Sequence, residues 1–325
     1  MMRRMLGGAA ILMLASGAAQ AAEKLTFMSS WKAQAEHGGY YQAIAKGFYK
    51  ACDIDLTFRQ GGPGVDGKQL LVGGAIDMMM ASYSDIALLL NVQGFEAKAV
   101  AAMFQKTPQI LMVHADSPYK SIEDMKGKPI MIAASSRTTF WPFLRSKYGY
   151  EDTQIRPYSG QIAPWLTDKL AIQQGIITNE PYLVESETGA KPRSFLLADL
   201  GYATYSSMIL TSKKLIDAKP KMVQCFVDAT IKGYIDFLKD PAPAVELIRK
   251  DNPMNPDGLV NYSIAEMKAR GIIETEDTQK YGIGAMTDAR WKAHTDLLKE
   301  AGIVPKDFDE KTAYTLQFVN KRVGM

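Results

Sequence analysis

Short strand-like runs alternate with helix-like stretches along most of the chain. Apolar and polar positions alternate over residues 24–28 and 54–59, as in a strand with one buried face. Between these runs, Tyr40, Ile44 and Phe48 repeat at helical spacing. Further strand-like runs lie at 76–80, 97–103, 110–113, 129–133, 155–158, 175–178, 194–197 and 207–211. This order predicts parallel β-α-β units with helices on both faces of each sheet.

From Pro220 onward the pattern is helical only. We therefore predict an α/β fold, with two α/β lobes joined by crossing strands and a helical carboxy-terminal tail. The predicted boundaries are 1–21 for a signal peptide, 22–114 plus 206–325 for the first lobe, and 115–205 for the second. Two such lobes form a hinge and close on a ligand in the cleft between them.

The amino terminus has the pattern of an export signal. Arg3 and Arg4 precede an apolar run that ends near Ala15, and Ala19-Gln20-Ala21 suits a cleavage site. The apolar run is shorter than the roughly 20 residues that a membrane-spanning helix needs. We therefore expect cleavage and a periplasmic location.

Composition and motifs exclude several classes of function. The net charge of +3 comes from 38 basic and 35 acidic residues that are interspersed, so no nucleic-acid-binding face is expected. No G-x-S-x-G motif is present, and the near-match to a phosphate-binding loop at 62–69 has Gln69 where a hydroxyl is needed. The three histidines and two cysteines have no metal-site spacing. An oxidising compartment would allow Cys52 and Cys225 to pair, but we favour two separate buried thiols.

The loops that follow the predicted strands carry aromatic and polar residues. In parallel α/β sheets, ligands bind at the carboxyl ends of strands, near helix amino termini. The candidate ligand-binding residues from these loops are Trp31, His37, Ser82, Tyr83, Arg137, Thr138, Trp141, Asn179, Glu180 and Tyr202. Several have a structural alternative: Trp31 and Trp141 suit a core, His37 a helix start, and Glu180 the favourable end of a helix dipole.

Five stretches together resemble the SsuA/THI5-like (NMT1) family of periplasmic substrate-binding proteins of ABC importers. They are Trp31…His37-Gly38-Gly39-Tyr40-Tyr41-Gln42-Ala43…Gly47-Phe48-Tyr49, Gly74-Ala75-Ile76-Asp77, Ile122-Glu123-Asp124-Met125-Lys126-Gly127-Lys128, Thr178-Asn179-Glu180-Pro181-Tyr182 and Asp199-Leu200-Gly201-Tyr202. The resemblance spans about residues 24–250 and implies a type II binding-protein fold. Family ligands include sulfonates, nitrate-like anions and thiamine pyrimidine precursors. The segment from Trp31 to His37, with Glu180, is most similar to the pyrimidine-precursor binders.

The same superfamily contains an enzyme, the thiamine pyrimidine synthase. That enzyme uses a pyridoxal-phosphate lysine, a histidine that it consumes and a cysteine-rich run with iron. The corresponding stretches here are 78–85, without Lys or His, and 200–206, without Cys. These departures remove the Schiff-base amine and the thiolates, so we expect no enzyme activity and no cofactor.

The resemblance thus implies a monomeric periplasmic receptor that delivers a small aromatic N-heterocycle to an inner-membrane permease and its ATPase. Trp31, Tyr83 and Trp141 would stack on the ligand. Asn179 and Glu180 would form hydrogen bonds with ring and amino hydrogens. His37, Ser82 and Arg137 would bind a carbonyl, formyl or acid group. The alternatives are a pyrimidine synthase and a sulfonate or nitrate receptor, the latter dependent on Arg137.

Overall fold

Two five-stranded sheets with surrounding helices form the molecule. The computed structural model describes residues 21–325 apart from positions 63, 159 and 257, so the predicted signal peptide lies, except for Ala21, outside the described residues. The strands are β1 Glu23–Met28, β2 Ile54–Arg59, β3 Met78–Ala81, β4 Ala97–Phe104, β5 Gln109–Val113, β6 Ile130–Ile132, β7 Ile155–Pro157, β8 Ile172–Ile176, β9 Arg193–Leu196 and β10 Ser206–Ser212.

Helices cover both sheets and make up the tail. They are α1 Gly38–Ala45, α2 Gly67–Val72, α3 Ser84–Val92, α4 Phe140–Tyr148, α5 Ala163–Thr167, α6 Glu180–Thr188, α7 Lys213–Ala218, α8 Pro220–Lys239, α9 Ala242–Asp251, α10 Leu259–Ala269, α11 Glu276–Tyr281 and α12 Asp288–Glu300. Among the described residues, no helix has both the length and the apolar character required to cross a bilayer.

Each sheet is mixed rather than purely parallel, which corrects the predicted strand directions. The first has the order β2-β1-β3-β10-β4, and β10 runs antiparallel to β3 and β4. The second has the order β7-β6-β8-β5-β9, and β5 runs antiparallel to β8 and β9. The antiparallel strands β5 and β10 are the first strands that the chain forms after it crosses from one sheet to the other. The predicted return of residues 207–211 to the first sheet is found as β10. We call the first sheet with its helices and the tail the first lobe, and the second sheet with its helices the second lobe.

The position of β5 moves one predicted boundary. This strand, Gln109–Val113, belongs to the second sheet, whereas the boundary at residue 114 assigned it to the first lobe. Its residues alternate between two cores: Leu111 and Val113 lie in one, Ile110 and Met112 in the other. A strand with both faces buried has a continuous apolar sequence, and such a sequence does not indicate which of the two sheets the strand joins.

The first lobe depends on close packing between α1 and the long helix α8. A Cβ at Gly39 would lie 2.1 Å from the Tyr234 ring, and one at Gly38 would lie 2.2 Å from the Phe237 ring. Only glycine allows this approach, so the Gly38-Gly39 pair sets the position of α1 and of the segment before it.

A disulfide joins the turn before β2 to α8, and it corrects the preference for two separate thiols. Cys52 and Cys225 are bonded, with their Cα atoms 5.9 Å apart. The two residues are 173 positions apart in sequence, so their pairing follows from the packing of α8 and carries no local sequence signal.

Candidate functional site

A cavity of about 450 Å³, including its open mouth, lies between the two lobes. The carboxyl ends of β1, β3, β4 and β8 meet there, as expected for ligand sites in α/β sheets. The described residues that line it are Ser30, Trp31, Gln34, Glu36, His37, Met80, Ser82, Tyr83, Phe104, Thr107, Pro108, Gln109, Ile176 and Ser206. Four predicted site residues are thus brought together: Trp31, His37, Ser82 and Tyr83.

The segment of residues 29–37, between β1 and α1, forms one wall. Its main chain is held by side chains of neighbouring loops: the Gln60 Oε1 atom accepts from the Ala33 N–H at 2.7 Å. The Ala33 carbonyl accepts from the side-chain amides of Asn252 and Asn255, at 2.9 and 2.8 Å. These bonds preorganise the segment before any ligand arrives.

Two aromatic side chains border the cavity from the first lobe and contact the second lobe. The half-buried Trp31 ring lies beside Gly160, where a Cβ would be 3.7 Å from the Trp31 Cζ2 atom. The Tyr83 hydroxyl donates to Gln109 Oε1 at 2.6 Å. Burial raises the pKa of Tyr83, so its hydroxyl stays protonated. Flat rings on the wall suit a planar ligand.

Glu36 is a charged lining residue that sequence reasoning missed as a site residue. Its side chain is buried, and its Oε1 atom accepts from the Thr178 hydroxyl of the second lobe. Burial raises the pKa of this carboxyl, while the Thr178 hydrogen bond opposes the shift. Its position beside His37, in the loop after the first predicted strand, was the available sequence signal.

His37 is almost fully buried, at 1% exposure, in the same wall. Its Nδ1 atom accepts from the Gln34 N–H at 3.2 Å, and its Nε2 atom has no hydrogen-bond partner in the described part of the chain. Burial lowers the pKa of the imidazole to about 4, so the ring is neutral at physiological pH. A buried polar atom without a partner is costly, unless a ligand supplies one.

Glu180 and Asn179 are not among the described residues that line the cavity. Glu180 Oε2 accepts from the Ile176 N–H at 2.6 Å, and Oε1 accepts from the Tyr158 hydroxyl at 2.9 Å. Burial raises the pKa of Glu180, and the charge of Glu36 adds to the shift. Asn179 is the residue before α6 and is half-buried. Their predicted contact with a ligand stays a prediction, and in this structure both Glu180 oxygens accept hydrogen bonds from the protein itself.

The four other predicted site residues lie outside the described wall. Trp141 and Tyr202 are buried in the second lobe's core. The Trp141 indole donates to Asp152 at 2.8 Å, and the Tyr202 hydroxyl donates to Asp85 on α3 of the first lobe at 2.7 Å. Arg137 and Thr138 are exposed to solvent in the turn before α4. The rotation of a helix about its axis decides whether an aromatic residue in its first turn faces the core or the cleft. Trp141, in the first turn of α4, faces the core.

Tail helix α10 also reaches the second lobe, beside the cavity. The Ser263 hydroxyl donates to the Thr178 carbonyl at 2.6 Å, and the Tyr262 hydroxyl donates to the Ile177 carbonyl at 3.2 Å. Thr178 therefore receives one bond from the tail and gives one to Glu36. The lobes are closed on each other in this arrangement.

Comparison with known proteins places this geometry in a family. The family model described as NMT1/THI5 like matches residues 34–244, more than half of the chain. A riboflavin-binding protein, RibY of Chloroflexus aurantiacus, is 24% identical over 304 residues, covering 91% of this chain and 86% of RibY. A 4-amino-5-hydroxymethyl-2-methylpyrimidine phosphate synthase of Schizosaccharomyces pombe is 22% identical over 302 residues, covering 88% of this chain and 84% of the synthase.

The solved structures include the periplasmic aliphatic sulphonate binding protein SsuA of Escherichia coli. It superposes with a TM-score of 0.65 at 15% identity, covering 90% of this chain and 91% of SsuA. At that identity the likeness shows the fold alone, the periplasmic binding protein fold that the sequence predicted. With the family model and the fold in agreement, the chain belongs to the NMT1/THI5-like family.

Proposed function

We propose that the protein is the periplasmic solute-binding component of an ABC importer and captures a small aromatic N-heterocycle, such as a thiamine pyrimidine precursor. The observation that carries this proposal is the cavity between the lobes. It combines aromatic walls, from Trp31 and Tyr83, with a buried acceptor on Glu36 and an unpartnered nitrogen on His37.

The charge of the wall favours a heterocycle over an anion. Among the described residues that line the cavity, none is Lys or Arg, while Glu36 supplies a carboxyl group. Arg137, on which the sulfonate alternative depended, is solvent-exposed in a turn away from this wall. A carboxyl oxygen accepts hydrogen bonds from ring or amino N–H groups, whereas a sulfonate offers it only acceptors and finds no Lys or Arg among the described lining residues.

The relatives support both the heterocycle and the binding role. RibY is named as a riboflavin-binding protein, and the fission yeast relative is named as a pyrimidine phosphate synthase. The synthase alternative needs an amine that forms a Schiff base. Strand β3 ends in Met78-Met79-Met80-Ala81, all four residues buried, and Ser82, Tyr83 and Ser84 follow. We therefore propose a receptor and not an enzyme, working as a monomer with a permease and its ATPase.

Titration calorimetry tests the proposal. The panel contains riboflavin, 4-amino-5-hydroxymethyl-2-methylpyrimidine, taurine and an alkanesulfonate. We expect one heterocycle to bind with a dissociation constant in the micromolar range or below, and the two sulfonates to be silent. Trp31→Ala removes a stacking face and should weaken that binding about tenfold, whereas the matched control Trp31→Phe keeps a flat ring and most of the affinity.

The alternatives predict different results in the same experiments. Tight sulfonate binding that disappears in Arg137→Ala would favour the anion receptor. An absorbance band of bound pyridoxal phosphate on addition of that cofactor would favour the synthase. Silence of both heterocycles at millimolar concentration would contradict the proposed ligand class.

A further inference from the structure

His37 has one ring nitrogen whose role is fixed by the main chain. The Nδ1 atom lies 3.2 Å from the Gln34 backbone nitrogen, which carries a hydrogen and can only donate. Nδ1 must therefore present a lone pair, because a hydrogen on it would face the hydrogen of Gln34. A neutral imidazole that accepts at Nδ1 carries its proton on Nε2.

The Nε2–H group is thus a donor without an acceptor. It belongs to a side chain that is 1% exposed, and no protein atom among the described residues accepts from it. His37 is nevertheless one of the residues that line the cavity. Desolvation lowers the pKa of His37 to about 4, which agrees with a neutral ring.

Glu36, the neighbouring residue in the same wall, has the opposite character. The Thr178 hydroxyl donates to its Oε1 atom, so this carboxyl group acts as an acceptor in the closed arrangement. A ligand that contacts both residues must offer an acceptor to one and a donor to the other. Adjacent acceptor and N–H groups occur on the edges of cyclic amides, ureides and aminopyrimidines.

We propose that His37 is a specificity-determining residue: a fixed Nε2–H donor that selects ligands carrying a carbonyl oxygen or an unprotonated ring nitrogen beside an N–H group read by Glu36. This inference rests on the proposed function for the identity of the occupant. The tautomer of the imidazole does not depend on the proposed function, because the Gln34 N–H fixes it without a ligand. Heterocycles that lack the acceptor leave the donor buried and unpaired, and the site rejects them for that reason.

Long-range ¹H–¹⁵N correlation spectra of the ligand-free protein test the tautomer directly. The described residues contain three histidines, and the His37→Asn variant assigns the His37 signal by its loss. We expect the shifts of a neutral ring protonated on Nε2, constant between pH 5.5 and 8. A ring protonated on Nδ1, or one that titrates near pH 6.5, overturns the inference. This result is independent of ligand binding, so a failure here is distinct from a failure of the proposed function.

Two matched variants then test the selection, with whichever of riboflavin and the aminopyrimidine binds in calorimetry. His37→Asn keeps an oxygen near the Nδ1 position for the Gln34 N–H but loses the Nε2 donor. His37→Gln places an amide N–H near the Nε2 position. We expect about a tenfold loss of affinity in His37→Asn and no more than about a threefold loss in His37→Gln. Unchanged affinity in His37→Asn, with an unchanged thermal melting curve, overturns the inference.

Discussion

Removing the Cys52–Cys225 bridge should lower the free energy of unfolding substantially. The bond closes a loop across a sequence separation of 173 residues and ties the turn before β2 to α8. In the chain-entropy model, a loop of this length contributes about 5 kcal/mol, and bridges in proteins typically contribute about 2–4 kcal/mol. We therefore expect a loss of about 2–5 kcal/mol, because the unfolded chain gains conformations that the bridge excluded.

Urea denaturation measures this loss. Three samples are compared: the oxidised protein, the same protein with a phosphine reductant, and the Cys52→Ala/Cys225→Ala variant. The reduced protein and the variant should share a lower midpoint, and the variant should not respond to the reductant, which makes it the control. Two free thiols in the unfolded, non-reduced protein would refute the pairing. A midpoint unaffected by the reductant would refute the energetic argument. Spontaneous formation of the bridge in the native host would support export, because such bonds persist in oxidising compartments.

Three further predictions concern residues around the site. Trp141→Phe should lower the unfolding free energy by about 1–3 kcal/mol in urea titrations but leave ligand affinity unchanged, because this ring packs in the core and its indole bonds Asp152. Tyr202→Phe leaves one oxygen of the buried Asp85 without its donor and should cost about 1–3 kcal/mol in the same assay; an unchanged midpoint would contradict the buried bond. The pKa of His37 is lowered to about 4, so the unfolded chain binds the proton more readily, and the protein should lose up to about 3 kcal/mol relative to His37→Asn as the pH falls from 7 to 4. Parallel stability curves for the two proteins would exclude that shift.

Element positions could be predicted wherever the hydrophobic pattern was regular. Strand β2 was expected at 54–59 and is found there, because its buried and exposed positions alternate. The helical spacing of Tyr40, Ile44 and Phe48 extends beyond the observed helix, since α1 ends at Ala45 and Gly47 adopts a left-handed φ of 70°. Strand β8 was expected at 175–178 but spans Ile172–Ile176, because the buried Gln173 interrupts its apolar run. A polar residue inside a core gives the sequence no periodic signal.

The site was predictable to the level of loops but not of individual side chains. The loops after β1 and β3 do supply Trp31, His37, Ser82 and Tyr83 to the cavity wall. Their predicted contact with a ligand stays a prediction. Helix α6 begins at Glu180, whose two oxygens bond Ile176 and Tyr158, and this outcome depends on how the helix packs on β8. Such packing depends on contacts distant in sequence, which local patterns do not record.

The residues that line the cavity also hold the two lobes together. Tyr83 bonds Gln109 across the lobes, and Glu36 bonds Thr178, which in turn accepts from Ser263 of the tail. A ligand that contacts Glu36 and Tyr83 therefore interacts with the same side chains that make these interlobe contacts. A ligand that also contacts Gln109 or Ile176, which line the cavity from the second lobe, makes contacts that opening would break. Such a ligand binds the closed form more tightly and shifts the population toward it. If the protein is a transport receptor, this coupling lets its permease distinguish the closed, ligand-bound form from the open form. The carboxyl group of Glu36 takes part in both events, because it lines the cavity and bonds Thr178 of the second lobe.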